Sequence, residues 1–207
     1  VKIVIFGPTG GTGRLLVDKA VAAGHSVTAF ARNIGGIAPR PNLTLRAGSV
    51  MDPASVEDVV AGHEAVLSAL GGRPWRRAPI CGPAIRNIAA AMGKHGLRRI
   101  VVISTHGAAE TRADVDWMTR NVVFGLVLRN EVADKEAMER FLAASDLDWT
   151  VVRVGVLTNA AAQGIYRASD DRTIREMGKI ARSDVADFML AQLADGRWMR
   201  RKPSVMY

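Results

Sequence analysis

Three glycines at every third position, Gly7, Gly10 and Gly13, join the apolar run Lys2-Ile3-Val4-Ile5-Phe6 to a helical stretch opening at about Arg14. A chain builds a pyrophosphate cradle in this way. Gly7 permits a sharp turn off the strand, Gly10 lets backbone approach phosphate oxygens, and Gly13 lets the helix sit close on a sheet. Free N–H groups of the first helical turn then hold the anion. The spacing is G-x-x-G-x-x-G, and the β-turn-α-β context makes it a dinucleotide signal rather than a tight turn alone. At the end of the next strand such a site meets the adenosine ribose, where an acidic residue would bind the 2′-hydroxyl. Arg32 and Asn33 stand there instead. A guanidinium suits a phosphate dianion, so NADPH is expected over NADH, with Arg40 as a helper. A second reactive spot is Ser104-Thr105-His106-Gly107, two hydroxyls and an imidazole after a buried strand. It reads either as a functional site or as a polar loop capping the strand. Lys135 reads either as a ligand of a cofactor ribose or as a solvated helical lysine.

These residues need strands and helices to position them. Apolar runs predict strands at 2–6, 26–31, 43–47, 65–70, 99–103 and 149–154, with a short apolar end at 204–207. Between them the pattern predicts a helix running to Gly24 and another over 53–61, where Asp52 and Pro53 form a cap and first-turn pair. Further helices are expected from Pro83 to just before Gly96, over 128–145, and over 185–193 capped by Ser183 and Asp184. Strands alternating with helices give an α/β Rossmann fold, a doubly wound parallel sheet with helices on both faces. Ligands of such sheets bind at the carboxyl ends of the strands. Ser49 and Val50 are therefore expected near an adenine, and Leu70, Gly71 and Gly72 beside the cofactor. The loop 73–82 reads as a substrate lid or a plain connection. The irregular stretch 154–180, with Gln163-Gly164-Ile165-Tyr166, is the natural place for substrate-facing residues.

At 207 residues and 48% hydrophobic, residues 1–207 are expected to form one domain. No apolar run is long enough to span a bilayer, and the start reads as a strand rather than a targeting peptide, so a cytoplasmic protein is expected without a membrane partner. The single cysteine, Cys81, and the His/Cys spacing suggest neither a disulfide nor a metal site. With 28 Lys+Arg against 20 Asp+Glu, the net charge is +8. Small basic clusters occur at Arg73, Arg76, Arg77 and at Arg197, Arg200, Arg201, Lys202. Each holds a single tryptophan, Trp75 and Trp198, short of the repeated aromatics of a nucleic-acid platform, so the positive excess is read as steering a phosphorylated cofactor or anionic substrate, with no nucleic-acid partner.

The combination resembles the atypical short-chain dehydrogenase/reductases, and within them the NAD(P)H-binding, NmrA-like group that includes flavin and biliverdin-IXβ reductases. Its marks are Gly7-Pro8-Thr9-Gly10-Gly11-Thr12-Gly13, Arg32, Leu70-Gly71-Gly72-Arg73, Ala84-Ile85-Arg86-Asn87-Ile88, Ser104-Thr105 and Ser145-Asp146-Leu147-Asp148-Trp149-Thr150. The resemblance implies NADPH along the carboxyl edge, held by Gly7, Thr9, Gly10, Gly11, Thr12 and Gly13, and Thr105 between nicotinamide and substrate. Three positions depart from the group's pattern. Glu131 stands where a Tyr-x-x-x-Lys tyrosine would precede Lys135, Val156 where a substrate-side histidine would lie, and Ser49 where an acidic residue is usual. Hydride transfer to a planar conjugated acceptor such as a flavin, quinone or linear tetrapyrrole fits this set, because stacking matters more there than a strong acid. Ser104 and Thr105 then orient nicotinamide and acceptor, and His106 is the candidate proton donor. The alternatives are a non-catalytic NADP(H)-binding redox sensor and, disfavoured by length and by the missing tyrosine, a sugar-nucleotide epimerase. The sequence leaves the oligomeric state open.

Overall fold

The computed structural model describes residues 1–72 and 78–207. The first part of the candidate lid, with Arg73, Arg76 and Arg77, lies outside the described residues. In chain order the elements are β1 (Lys2–Phe6), α1 (Gly11–Ala22), β2 (Ser26–Ala31), β3 (Leu43–Ala47), α2 (Pro53–Val60), β4 (Ala65–Ser68), α3 (Cys81–Lys94) and β5 (Arg99–Thr105). After β5 come a 3₁₀ turn (Ala109–Asp114) and a π-helical stretch (Thr119–Val127). Then follow α4 (Arg129–Ala143), β6 (Asp148–Val154), β7 (Val156–Thr158), β8 (Arg167–Ser169), β9 (Lys179–Ala181), α5 (Arg182–Ala191) and β10 (Ser204–Met206).

The central sheet runs β3-β2-β1-β4-β5-β6-β10-β8. All neighbours pair in parallel except β8, which lies antiparallel to β10. β7 and β9 form a separate parallel pair. Strand direction of connection reverses between β1 and β4, which creates the crevice where a doubly wound sheet takes its ligand. Alternating side chains feed two cores, as strand geometry requires. Ile3, Ile5, Val101 and Val152 pack under Leu16, Val17, Phe188 and Met189 of α1 and α5. Val4, Phe6, Val102 and Val151 face Val56, Ile85, Ile88 and Met138 of α2, α3 and α4. The expected doubly wound sheet, with helices on both faces, is the fold found.

Four local readings need correction. β4 ends at Ser68, so Leu70 belongs to the loop beyond it. α3 begins at Cys81, ahead of Pro83, because the Asp134 carboxylate accepts the N–H groups of Ile80 (2.8 Å), Cys81 (2.7 Å) and Gly82 (2.8 Å). That cap comes from a distant helix and leaves no local trace. Asp184 does not cap α5: it sits inside the first turn, buried, and accepts from Gln163 N (2.9 Å), Gly164 N (3.0 Å) and the Tyr207 hydroxyl (2.5 Å). It pins the irregular insertion to the sheet's edge instead. The π-helical stretch has no counterpart among the expected helices, and it leaves Leu126 and Val127 exposed.

α1 meets β1 at backbone contact. A Cβ on Gly13 would lie 2.0 Å from the Gly7 carbonyl oxygen, and one on Gly7, at φ +79°, would lie 2.8 Å from the Ala69 carbonyl oxygen. Gly10 has ordinary extended backbone (φ −74°, ψ 163°), and the nearest atom to its missing Cβ is 3.6 Å away. Gly13→Ala is therefore expected to destabilise by about 1–3 kcal/mol or more, whereas Gly10→Ala stays within about 1 kcal/mol of the parent. Urea unfolding of the two variants checks this, and equal losses would contradict the contact.

Candidate functional site

The start of α1 carries Gly10 as its cap, with no side-chain hydrogen bond to the open N–H groups and no acidic residue in the first turn. Those donors and the helix dipole leave a positive pole at the end of β1. Beside the first residue of α1 lies a guanidinium. A Cβ on Gly11 would come within 2.8 Å of Arg182 Nε, and the other end of that group donates to Asn159 Oδ1 (2.7 Å) and the Leu157 carbonyl (3.4 Å). A cation at a helix N-terminus is repelled unless an anion lies between them. The arrangement therefore fits a diphosphate, with nothing within 4 Å of where a Gly71 Cβ would stand. Thr9 is exposed and its carbonyl accepts from Arg14 Nε (3.2 Å), while Thr12 is buried. Arg182 is missed by sequence reasoning, because nothing local separates it from any basic residue at a helix start.

At the adenosine end, Arg32 is exposed just beyond β2. Arg40, expected to help it, instead pairs with Asp18 on α1 (2.5 Å). A hollow of about 190 Å³ between Arg14, Asp18, Gly36 and Arg40 adjoins this loop. Ser49 Oγ accepts from Met51 N (3.2 Å), which shapes the turn after β3. The Val50 carbonyl accepts from Asn87 Nδ2 (3.0 Å), so Asn87 fixes the expected adenine wall. Sequence reasoning missed this contact, because Asn87 lies off the Ile85–Ile88 stripe and nothing local ties it to Val50.

At the middle of the edge, Lys135 is neither solvated nor open. It is buried, and its ammonium donates to the carbonyls of Leu70 (2.8 Å) and Ile103 (2.7 Å), tying the chain beyond β4 to β5. Cys81 Sγ donates to the same Leu70 carbonyl (3.6 Å), and burial pushes its thiol above the ordinary range. Glu131, one turn earlier on α4, lies beside Gly72: a Cβ there would be 3.7 Å from Glu131 Cγ. Burial raises the carboxyl's pKa, with Lys135 opposing and Asp134 reinforcing.

Ser104, Thr105 and His106 divide sharply. Thr105 is partly exposed at the end of β5, and its hydroxyl donates to the His106 carbonyl (3.1 Å). Ser104 is buried and donates to Glu139 Oε1 (2.5 Å). Glu139 also receives Arg153 through Nε (3.2 Å) and Nη2, in a buried pair only 2% and 1% exposed. His106 is fully buried, shares a hydrogen bond between Nδ1 and Ser204 Oγ (2.8 Å), and has no partner at Nε2 among the described residues. Burial lowers its pKa, aided by Arg153 and opposed by Asp114, so a neutral ring is expected near pH 7. Ser104 and His106 thus face the interior, and only Thr105 meets the edge. Val156, half exposed on β7, offers no proton-transfer group.

A glycine-lined turn at the switch point of a doubly wound sheet defines a dinucleotide-binding Rossmann protein. The chain belongs to the NAD(P)H-binding family, which it matches over residues 7–196. It is 28% identical over 209 residues to a chloroplastic protein of Arabidopsis thaliana, covering 93% of this chain and 71% of that one. Among solved structures it superposes on a short-chain dehydrogenase/reductase from Veillonella parvula in complex with NADP, with TM-score 0.83, 19% identity, and 100% and 94% of the two chains covered. An anaerobilin reductase from Escherichia coli gives TM-score 0.84 at 21% identity over 100% and 97%. These structures share the fold.

Because Arg153 is buried against Glu139, removing that carboxylate strands a charge. Glu139→Ala is expected to cost about 3–5 kcal/mol in urea unfolding. A loss below about 1 kcal/mol would show that Glu110 alone satisfies the guanidinium.

Proposed function

We propose that the chain is an NADPH-dependent reductase, built as one domain over residues 1–207, that reduces a planar conjugated acceptor: a flavin or quinone first, a linear tetrapyrrole second. The observation that carries this reading is the open glycine turn with Arg182 beside its positive pole and Arg32 at the ribose end. The NADP complex and the anaerobilin reductase among similar folds support it. Bound NADPH supplies the hydride. Gly11, Thr12 and Gly13, beside Gly10, offer N–H groups to its diphosphate, Arg182 adds charge there, and Arg32 meets the 2′-phosphate. Thr105 orients the acceptor side. Ser104, Lys135 and His106 act from behind, holding the ends of β4 and β5 in place. Glu131, with its raised pKa beside Gly72, is the carboxyl suited to hold a proton where a tyrosine would otherwise stand. The reading also takes the protein as cytoplasmic; no helix among the described residues is long and apolar enough to cross a membrane.

A non-catalytic NADP(H)-binding regulator is the second reading, favoured by the inward-facing Ser104 and His106. Steady-state NADPH oxidation with FMN, quinones and biliverdin separates the two. Turnover with one planar acceptor supports the reductase. No turnover with any of them, together with equal affinity for NADPH and NADP⁺, establishes the regulator.

The cofactor contacts predict two distinct signatures. Arg32→Ala should weaken NADPH about 10- to 100-fold and leave NADH nearly unchanged, because it meets only the 2′-phosphate. Arg182→Ala should weaken both cofactors by a similar factor, because both carry the diphosphate. Fluorescence titration reads all four affinities, and an Arg182 effect confined to NADPH would refute its place on the diphosphate.

A further inference from the structure

A second hollow, of about 430 Å³, lies at the far end of the sheet against β6, β10 and β8, and none of the residues assigned above to the dinucleotide lines it. Five of its lining side chains are cations, Arg153, Arg172, Arg200, Arg201 and Lys202, against two carboxylates, Glu110 and Asp170. Three of those cations form the basic cluster at 200–202 that the dinucleotide site does not use. Trp149, Ile174 and Met199 add an apolar wall suited to a carbon skeleton.

The cations are held by acids of unequal permanence. Arg153 forms the floor, 2% exposed, with Nη1 on Glu110 (2.9 Å) and its other side on Glu139. Lys202 Nζ lies 3.7 Å from Glu110 and 3.6 Å from Glu139. At the rim Arg201 meets Asp170 (2.7 Å), Arg172 meets Asp114 (2.6 Å), and the Arg200 guanidinium donates to the Asp146 carbonyl (2.9 Å) while its nearest carboxylate, Asp148, is 3.9 Å away. Glu139 is buried and locked by Ser104. Glu110 is 49% exposed, and it follows Ala109, whose φ of +48° is a left-handed conformation that alanine adopts only under strain. Buried cations need an anion, and here a half-exposed carboxylate that follows a strained backbone residue provides part of it.

We propose that this hollow is a binding site for a small di- or tricarboxylic acid, one carboxylate of which replaces Glu110 on Arg153 and Lys202 while a second meets Arg200 and Arg201. Glu110 is then the internal stand-in for the ligand. Planar guanidinium groups recognise carboxylates by paired hydrogen bonds, and the apolar wall favours an organic acid over a bare inorganic ion.

Calorimetric titration of the full chain with citrate at low ionic strength tests this, with inorganic phosphate as the comparison. One citrate per chain is expected, more tightly bound than phosphate. Glu110→Gln should tighten citrate about fivefold or more by removing the competitor, whereas Arg201→Gln and Lys202→Gln should each weaken it about tenfold. Arg32→Ala should leave it unchanged. Arg201 is largely exposed, so its variant decides the matter even if the Lys202 variant fails to fold. Absence of citrate binding in the Glu110→Gln protein at millimolar concentration, weaker binding in that variant, or loss of binding through Arg32→Ala would each overturn the proposal.

Discussion

The Gly7 carbonyl oxygen stands where a side chain on residue 13 would begin. Only a chain lacking Cβ atoms there can bring the first turn of a helix into contact with the end of the central strand. That single approach sets the direction of α1, aims its unpaired N–H groups over the sheet's carboxyl edge, and places Gly11 beside Arg182. The rest of the edge is arranged around the same switch point, where the connections on either side of β1 diverge.

What keeps that edge rigid is a set of buried charges on one helix. Asp134, Lys135 and Glu139 of α4 each answer a different demand: the open N–H groups of α3, two strand-end carbonyls, and a guanidinium in the core. None is tolerable in a dry interior without its partners, so each also fixes those partners' positions. The chemistry expected of Ser104 and His106 gives way to this logic. Their polar atoms are more valuable as links between β5, α4 and β10 than as groups offered to a ligand.

Legibility in the sequence followed the range of the interaction. The strands, the Gly-rich turn and the cap at Asp52, which accepts the Ala54 N–H (3.2 Å), are local, and the apolar periods and turn residues declare them. Family membership followed from the same local marks. By contrast, Arg182 reaches the cradle from residues that are far away in the chain, and Asp134 caps a helix 52 residues distant from it at Gly82. Such contacts have no period. Reactive-looking side chains misled for a related reason: residue type reveals what a group can do, and only packing decides which way it faces. Arg40 illustrates it, a basic residue in the right loop that Asp18 had already claimed.

Arg182 has one more property. Its guanidinium also holds Asn159 and the Leu157 carbonyl, in the stretch whose following residues, 163 and 164, hang from Asp184. On the proposed reading, an anion at the turn would draw on the same guanidinium that holds Asn159. Occupancy of the turn and the conformation of the segment 157–164 would then be thermodynamically linked, and by reciprocity whatever settles that segment would feed back on coenzyme affinity. One shared side chain would couple the turn to the segment with no separate hinge.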